Sequence, residues 1–136
     1  MVEINVNYEG SLRCRAKHGP SGMELITDAP ADNMGKGEAF SPTDLVATAL
    51  ATCIATTMGI VAQRKGIELG TMKLHVEKHM SSDTPRRIAK LPMKVWVALP
   101  EDHPQRPLLE NAAHGCPVHK SLHPDIELPI EFIWEG

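Results

Sequence analysis

The chain has 136 residues and a net charge of −3, with no basic run longer than the pair Arg86-Arg87. The length suits a single domain over residues 1–136. The charge excludes the basic surface that binds a nucleic-acid backbone, and two Trp, two Phe and one Tyr are too few for a base-stacking platform.

Cysteine usage and the N-terminal sequence predict the compartment. Three cysteines are an odd and low number for a secreted disulfide framework and are normal in a reducing cytosol. Residues 1–6 lack the basic start and apolar core of a secretion signal. No segment is expected to reach the ~20 apolar residues that span a bilayer. We therefore expect a cytoplasmic protein with no nucleic-acid or membrane partner.

Alternation of apolar and polar residues predicts three N-terminal strands, over residues 2–8, 11–18 and 23–27. Gly10 and the Gly-Pro-Ser-Gly segment at 19–22 separate them as turns. In the second strand, Leu12, Cys14 and Ala16 share the face expected to meet the core, while Arg13 and Arg15 lie on the other. Cys14 is therefore expected to be an inert packing residue.

A long helix follows a loop rich in Asp, Asn, Pro and Gly. Ser41 and Asp44 form a capping box at its start, and Gly66 ends it after Lys65. No charged residue occurs between Leu45 and Ala62, so the helix is expected to be buried on most sides. A domain this small cannot cover such a helix alone, which predicts a second subunit and hence a homodimer.

The remaining pattern predicts strands over residues 72–76 and 91–99, then a short helix over 104–113. Cys116-Pro117 opens another helix, and a last strand covers residues 126–134. Pro129 favours an edge position for that strand. The order β-β-β-α-β-β-α-α-β indicates an α+β domain with a mainly antiparallel sheet and a long buried central helix.

Two cysteines are candidates for chemistry. Cys53 lies about three turns into the long helix, where the helix dipole has largely faded, so it can react as a thiolate only if a cation reaches it. Arg13 and Arg15 are the candidate cations, since arginine stays charged in any surroundings. The alternative is that Cys53 is a small core residue.

Cys116 lies at a helix start, with His119 and Lys120 in the first turn. Helix N-termini and neighbouring cations lower a thiol pKa, so local electrostatics alone favour Cys116 as the more acidic thiol. A purely structural cap is the alternative.

Metal binding is a rival interpretation, because thiolates and imidazoles are zinc ligands. The residues that could form such a site are Cys53, His114, Cys116 and His119. Their spacing is His-x-Cys-x-x-His rather than a paired Cys-x-x-Cys, so no metal is expected. His75 and His79 fall on a strand with outward-facing residues and are interpreted as solvated.

Taken together, these motifs resemble the OsmC/Ohr family of thiol-dependent peroxidases over essentially the whole chain. The matching segments are Gly35-Lys-Gly37, Ser41-Pro42, Ala51-Thr52-Cys53 and Cys116-Pro-Val-His-Lys120. The resemblance implies an intertwined homodimer with the long helices at its centre. It also implies that Cys53 is the peroxidatic thiol, that Cys116 resolves it to a disulfide, and that an external dithiol reduces the disulfide, with no bound cofactor.

The chain departs from the family pattern at one acid and one arginine. Active members carry a Glu directly after the proline that opens the helix, where this chain has Thr43 followed by Asp44. Asp44 is then either the capping acid alone or a replacement that holds the arginine. Arg13 and Arg15 both lie near the family arginine, and Arg15 fits the strand pattern better. The chain thus resembles the broader OsmC-like branch.

The leading hypothesis is a peroxidase that reduces organic hydroperoxides, and hydrogen peroxide more slowly, through Cys53 and Cys116. One alternative is a non-catalytic OsmC-like dimer that binds a small ligand in its interface pocket. A Cys/His metal-binding protein is the other.

Overall fold

The structure is a computed structural model that describes all residues from Met1 to Gly136. It divides into two units, Met1–Val46 and Ala47–Gly136. The single domain expected from the length stays a prediction.

The first unit contains one antiparallel sheet in the order β1-β2-β3. Its strands are β1 (Ile4–Gly10), β2 (Arg13–His18) and β3 (Glu24–Asp28). The β1–β2 turn has positive φ angles at Gly10, Ser11 and Leu12, of 84°, 55° and 63°. Leu12 therefore lies in this turn, whereas the sequence placed it in the second strand.

One face of this sheet is apolar and exposed. Cross-strand partners place Val6, Ala16 and Leu25 together, and Tyr8 beside Cys14. Val6 and Tyr8 are 58% and 65% exposed in the single chain. The expected alternation is present, but the apolar face is not covered as the core prediction required.

The loop after β3 is organised by the buried carboxylate of Asp28. Its Oδ2 accepts a hydrogen bond from the backbone N–H of Glu38 at 3.1 Å, and its own N–H donates to the Phe40 carbonyl at 3.1 Å. A side chain at Gly35 would collide with the backbone of Ala29, so glycine is required there. This loop leads directly into the long helix.

The long helix, α1 (Pro42–Arg64), begins where the sequence predicts and ends one residue before the predicted last residue, Lys65. The N–H of Ser41 donates to Asp44 Oδ2 at 2.9 Å, and the N–H of Asp44 donates to Ser41 Oγ at 3.1 Å. This is the reciprocal pair of a capping box. At the other end Gly66 has a φ of 66°, and the N–H of Ile67 donates to the Ala62 carbonyl at 2.9 Å.

α1 is long and apolar, yet most of it is not buried in the single chain. It has 23 residues and a mean hydropathy of 2.0 over its most apolar window, of which only 28% is buried. By length and composition it could cross a membrane, so the expectation that no segment approaches this is wrong. One such helix is weak evidence of a span, because the core helix of a soluble protein passes the same test.

The second unit contains a three-stranded sheet in the order β4-β7-β8, and a separate hairpin. The sheet strands are β4 (Lys73–Val76), β7 (Met93–Val97) and β8 (Ile130–Trp134), and the hairpin strands are β5 (His79–Met80) and β6 (Ile88–Lys90). β8 runs parallel to β7 at the sheet edge, as Pro129 predicted for its position. Two helices, α2 (Arg106–His114) and α3 (Pro117–Ser121), precede β8.

The core of this unit lies between α1, the sheet and α2. The buried side chains of α1 recur every three or four residues, as one helix face requires, at Ala47, Leu50, Ile54, Met58 and Ala62. They cluster with alternate residues of β7 and with Leu109, Ala113 and Cys116. The α+β class and the mainly antiparallel pairing are confirmed. The sequence did not predict the division into separate sheets, the hairpin or the parallel pair.

Candidate active site

Cys53 lies in the middle of α1 and is half-buried. Its Sγ lies 3.9 Å from Oγ1 of Thr57, one helical turn further on. The thiol packs against the core cluster without being enclosed by it. Cys53 therefore combines a packed position with partial access to solvent.

Cys116 is completely buried and forms the N-cap of α3. Its Sγ accepts a hydrogen bond from the backbone N–H of His119 at 3.3 Å. Its own N–H donates to the carbonyl of Ala113 in the last turn of α2, at 3.4 Å. The structural cap considered from the sequence is thus present, at the end of one helix and the start of the next.

The second unit brings the two cysteines together. Cys116 belongs to the buried core cluster and Cys53 packs against that cluster, close enough to act on the Cys116 thiol, and both cysteines are in the free form. The sequence separates them by 63 residues, so only the packing of α1 against the region after α2 creates this pair. Two adjacent free thiols can form a disulfide or react in succession.

Burial, rather than the helix start, controls the acidity of Cys116. Burial raises the pKa of Cys116 most, the neighbouring Cys53 raises it further, and the backbone N–H groups of His119 and Val118 oppose the change. The expectation that the helix start lowers the pKa of Cys116 is therefore wrong, because burial outweighs it. Burial also lowers the pKa of His119, so its imidazole is neutral at pH 7 and supplies no charge.

The four residues considered for a metal site do not assemble one. No group of three or more His, Cys, Asp or Glu side chains is arranged to hold a metal ion. The His114 and His119 rings lie edge to face, with their centroids 6.1 Å apart. His75 and His79 are more than half exposed, and each lies beside the carboxylate of Glu77.

Arg13 and Arg15 bind different carboxylates within the first unit. Nη2 of Arg13 lies 2.9 Å from Glu38 Oε2 and 3.5 Å from Asp28 Oδ2. Nε of Arg15 lies 3.1 Å from Oε2 of Glu9, and Nη1 of Arg15 lies 3.1 Å from Oε2 of Glu24. Both hydrogen bonds raise the pKa of Arg15, and the one to Glu9 has the larger effect.

Asp28 and Glu38 are acids that the sequence analysis did not identify. The backbone N–H of Glu38 lowers the pKa of Asp28 most, with Arg13 contributing, so Asp28 is a carboxylate at neutral pH. Asp28 lies opposite Arg13 in the β2–β3 register, which a correct hairpin alignment could have indicated. Nothing in the sequence indicates that Glu38 reaches Arg13. Asp44 is the capping acid of α1.

We expect the raised pKa of Cys116 to be directly measurable. In a Cys14→Ser, Cys53→Ser protein Cys116 is the remaining thiol, and its thiolate absorbance in the ultraviolet should titrate above the ordinary value of ~8.5. Burial favours the neutral thiol, so the thiolate forms only at higher pH. The same protein in denaturant is the control and should titrate near the ordinary value. A folded-state midpoint below it would mean that the helix start outweighs burial.

Comparisons with known proteins show the family to which the chain belongs. Residues 35–131 match the family described as OsmC-like protein. A candidate osmotic stress-induced and detoxification response protein from Psychrobacter arcticus is 43% identical, with a TM-score of 0.90 over 97% of this chain and 96% of that one. A comparison with curated proteins finds no match.

More distant solved structures share the fold. A candidate organic hydroperoxide resistance protein from Vibrio cholerae, with captopril bound in one active site, is 19% identical and has a TM-score of 0.78 over 97% of this chain and 90% of that one. The organic hydroperoxide resistance protein OhrB of Bacillus subtilis is 18% identical and has a TM-score of 0.68 over 97% of each chain. The family match covers well over half of the sequence, and the chain belongs to the OsmC-like family.

Proposed function

We propose that this protein is a cysteine-based peroxidase that reduces organic hydroperoxides and, more slowly, hydrogen peroxide. The observation that carries the proposal is the packing of a half-buried thiol, Cys53, against the core cluster that contains a fully buried one, Cys116. Two fold relatives named for organic hydroperoxide resistance support this substrate class.

The first step is an attack by the Cys53 thiolate on one oxygen of the peroxide O–O bond. The S–O bond forms as the O–O bond breaks, the alkoxide leaves and takes a proton to become the alcohol, and Cys53 becomes a sulfenic acid. Cys53 is the better candidate for this step, because its partial exposure gives a peroxide access that the enclosed Cys116 lacks.

The second step is the attack of Cys116 on the sulfenic sulfur. The S–S bond forms, hydroxide leaves Cys53, and the thiol proton of Cys116 converts it to water. An external dithiol then reduces the disulfide by two thiol–disulfide exchanges and is itself oxidised. The electrons come from this dithiol, so the cycle needs no bound cofactor.

We favour Arg13 as the cation that stabilises the Cys53 thiolate. Its two carboxylate contacts use one nitrogen, Nη2, whereas Arg15 engages two nitrogens with separate glutamates on the sheet. The acids that orient Arg13 also bracket the loop that leads into α1, the helix that carries Cys53. Asp28 and Glu38 are suited to the role that the sequence analysis considered for Asp44.

We propose that the protein works as a homodimer. The exposed face of α1 carries Ala49, Thr52, Thr56 and Ile60, and no charged residue until Arg64 at its end. The hydroxyls of Thr52 and Thr56 donate to carbonyls one turn earlier, each at 2.9 Å. They can therefore be buried at an interface and keep a hydrogen-bond partner. The exposed stripe of α1 and the exposed apolar face of the β1–β3 sheet could each be buried by a second copy of the chain, which carries the same two surfaces.

We also propose a cytoplasmic location. Three free cysteines and a cycle that ends in reduction by a dithiol suit a reducing compartment.

The peroxidase proposal predicts dithiol-dependent consumption of cumene hydroperoxide by the purified protein. Cys53→Ser should reduce turnover to background, and Cys116→Ser should leave a sulfenic acid on Cys53 that dimedone traps and mass spectrometry locates. Cys14→Ser is the matched control and should retain activity, because Cys14 has no role in the cycle. Wild-type turnover no higher than that of Cys53→Ser would refute the proposal, and a sulfenic acid on Cys116 in Cys53→Ser would invert the assignment.

The arginine proposal predicts different effects for two neighbouring substitutions. Arg13→Gln should slow the reaction of Cys53 with cumene hydroperoxide about tenfold or more, because removing the positive charge proposed to stabilise the thiolate reduces the thiolate fraction. Arg15→Gln, which removes the same charge from the same strand, should change the rate less than about threefold. Stopped-flow measurement of the first turnover compares the two. A larger loss in Arg15→Gln would return the role to Arg15.

The dimer proposal predicts a sedimenting mass of about twice the 14.9 kDa chain mass at micromolar concentration. Ile60→Glu should give a folded monomer, since an unpaired charge buried at an interface costs several kcal/mol but is tolerated on an exposed surface. Lys65→Glu, at an exposed position beyond the end of α1, is the control and should leave the mass unchanged. A wild-type monomer would contradict the proposal.

A further inference from the structure

The side of α2 that faces β8 carries a polar contact between a helix and a strand. Oε1 of Glu110 accepts a hydrogen bond from Nε1 of Trp134 at 2.9 Å and another from Nε of Arg106 at 3.0 Å. The guanidinium of Arg106 lies over the Trp134 ring, 5.5 Å from its centroid. One carboxylate oxygen therefore joins α2 to the end of β8.

A second contact lies one helical turn further along. The rings of His114 and Phe132 meet edge to face, with their centroids 6.0 Å apart. Four residues along a helix and two along a strand both span roughly 6–7 Å, so the two contacts are in register. α2 thus runs alongside β8 in the opposite direction, with Leu109 and Ala113 buried in the core.

Cys116 is held by the end of this helix. The N–H of Gly115 donates to the carbonyl of Asn111 at 3.0 Å, and the N–H of Cys116 donates to that of Ala113 at 3.4 Å. Only Gly115 separates Cys116 from the end of α2. The position of the last turn of α2 therefore determines the position of the Cys116 thiol.

We propose that Glu110 and Trp134 are positioning residues that hold the Cys116 thiol in register with Cys53. Their hydrogen bond fixes α2 along β8, and the backbone bonds from Ala113 and Asn111 transmit that position to Cys116. The role of these residues in a reaction cycle rests on the proposed function. The alignment of the two thiols can be measured independently, without any peroxide.

The test is the equilibrium between the protein and a glutathione redox buffer, in a Cys14→Ser background. The two thiols and one oxidised glutathione give the Cys53–Cys116 disulfide and two reduced glutathiones, so the equilibrium constant reports how well the thiols are aligned. Trp134→Phe keeps the ring under Arg106 and removes only the N–H donor. It should lower this constant about tenfold, because small displacements of reacting groups have large effects.

Two variants separate positioning from general stability. Glu110→Gln keeps an oxygen that can accept from the indole, and it should stay within about threefold of the parent protein. Glu101→Ala removes a mostly exposed carboxylate that also contacts Arg106, and it should have no effect. If Trp134→Phe does not fold by circular dichroism, Glu110→Ala, at a partly exposed position, takes its place.

An unchanged equilibrium constant in the folded variant that lacks the bond would overturn the proposal, and so would an equal loss in Glu101→Ala. If the peroxidase proposal fails but Trp134→Phe still shifts the glutathione equilibrium, the positioning role stands without the reaction.

Discussion

Cys116 is held in the core at the junction of two helices, since α2 ends at His114 and α3 begins at Pro117. The same residue caps α3, donates its backbone N–H to the Ala113 carbonyl of α2 and packs among side chains of α1 and β7. This burial places its thiol beside Cys53 and raises its pKa. The difference between a thiol that a small molecule can reach and one that it cannot is thus a consequence of core packing.

The same burial explains why a helix start does not make Cys116 reactive. A backbone N–H group offers only a partial charge, and α3 is one short turn from Pro117 to Ser121. Burial also lowers the pKa of His119 in α3, so this imidazole supplies no positive charge to offset the loss of hydration of the thiol. A thiol in these surroundings is held in its neutral form, and in the proposed cycle its proton goes to the hydroxide that leaves Cys53.

Features fixed by neighbouring residues could be predicted from the sequence, whereas those set by tertiary contacts could not. The capping box of Ser41 and Asp44 and the cap at Cys116 depend on a few adjacent residues. The pKa of Cys116 depends on side chains distant in sequence, and the pairing of Glu38 with Arg13 depends on an irregular loop. The hairpin of β5 and β6 has strands of two and three residues, too short for alternation to show.

In the proposed dimer, the apolar helix α1 would link assembly to the proposed chemistry of Cys53. Cys53 directly follows Thr52 and lies three residues before Thr56, so it borders the exposed stripe of α1. A second copy placed on that stripe would lie against the half-buried side of Cys53 and form part of the approach for a substrate. Assembly would then also exclude water around the thiol, which strengthens its interaction with any nearby cation. In such a dimer the exposed stripe of α1 would line the proposed active site together with the second copy.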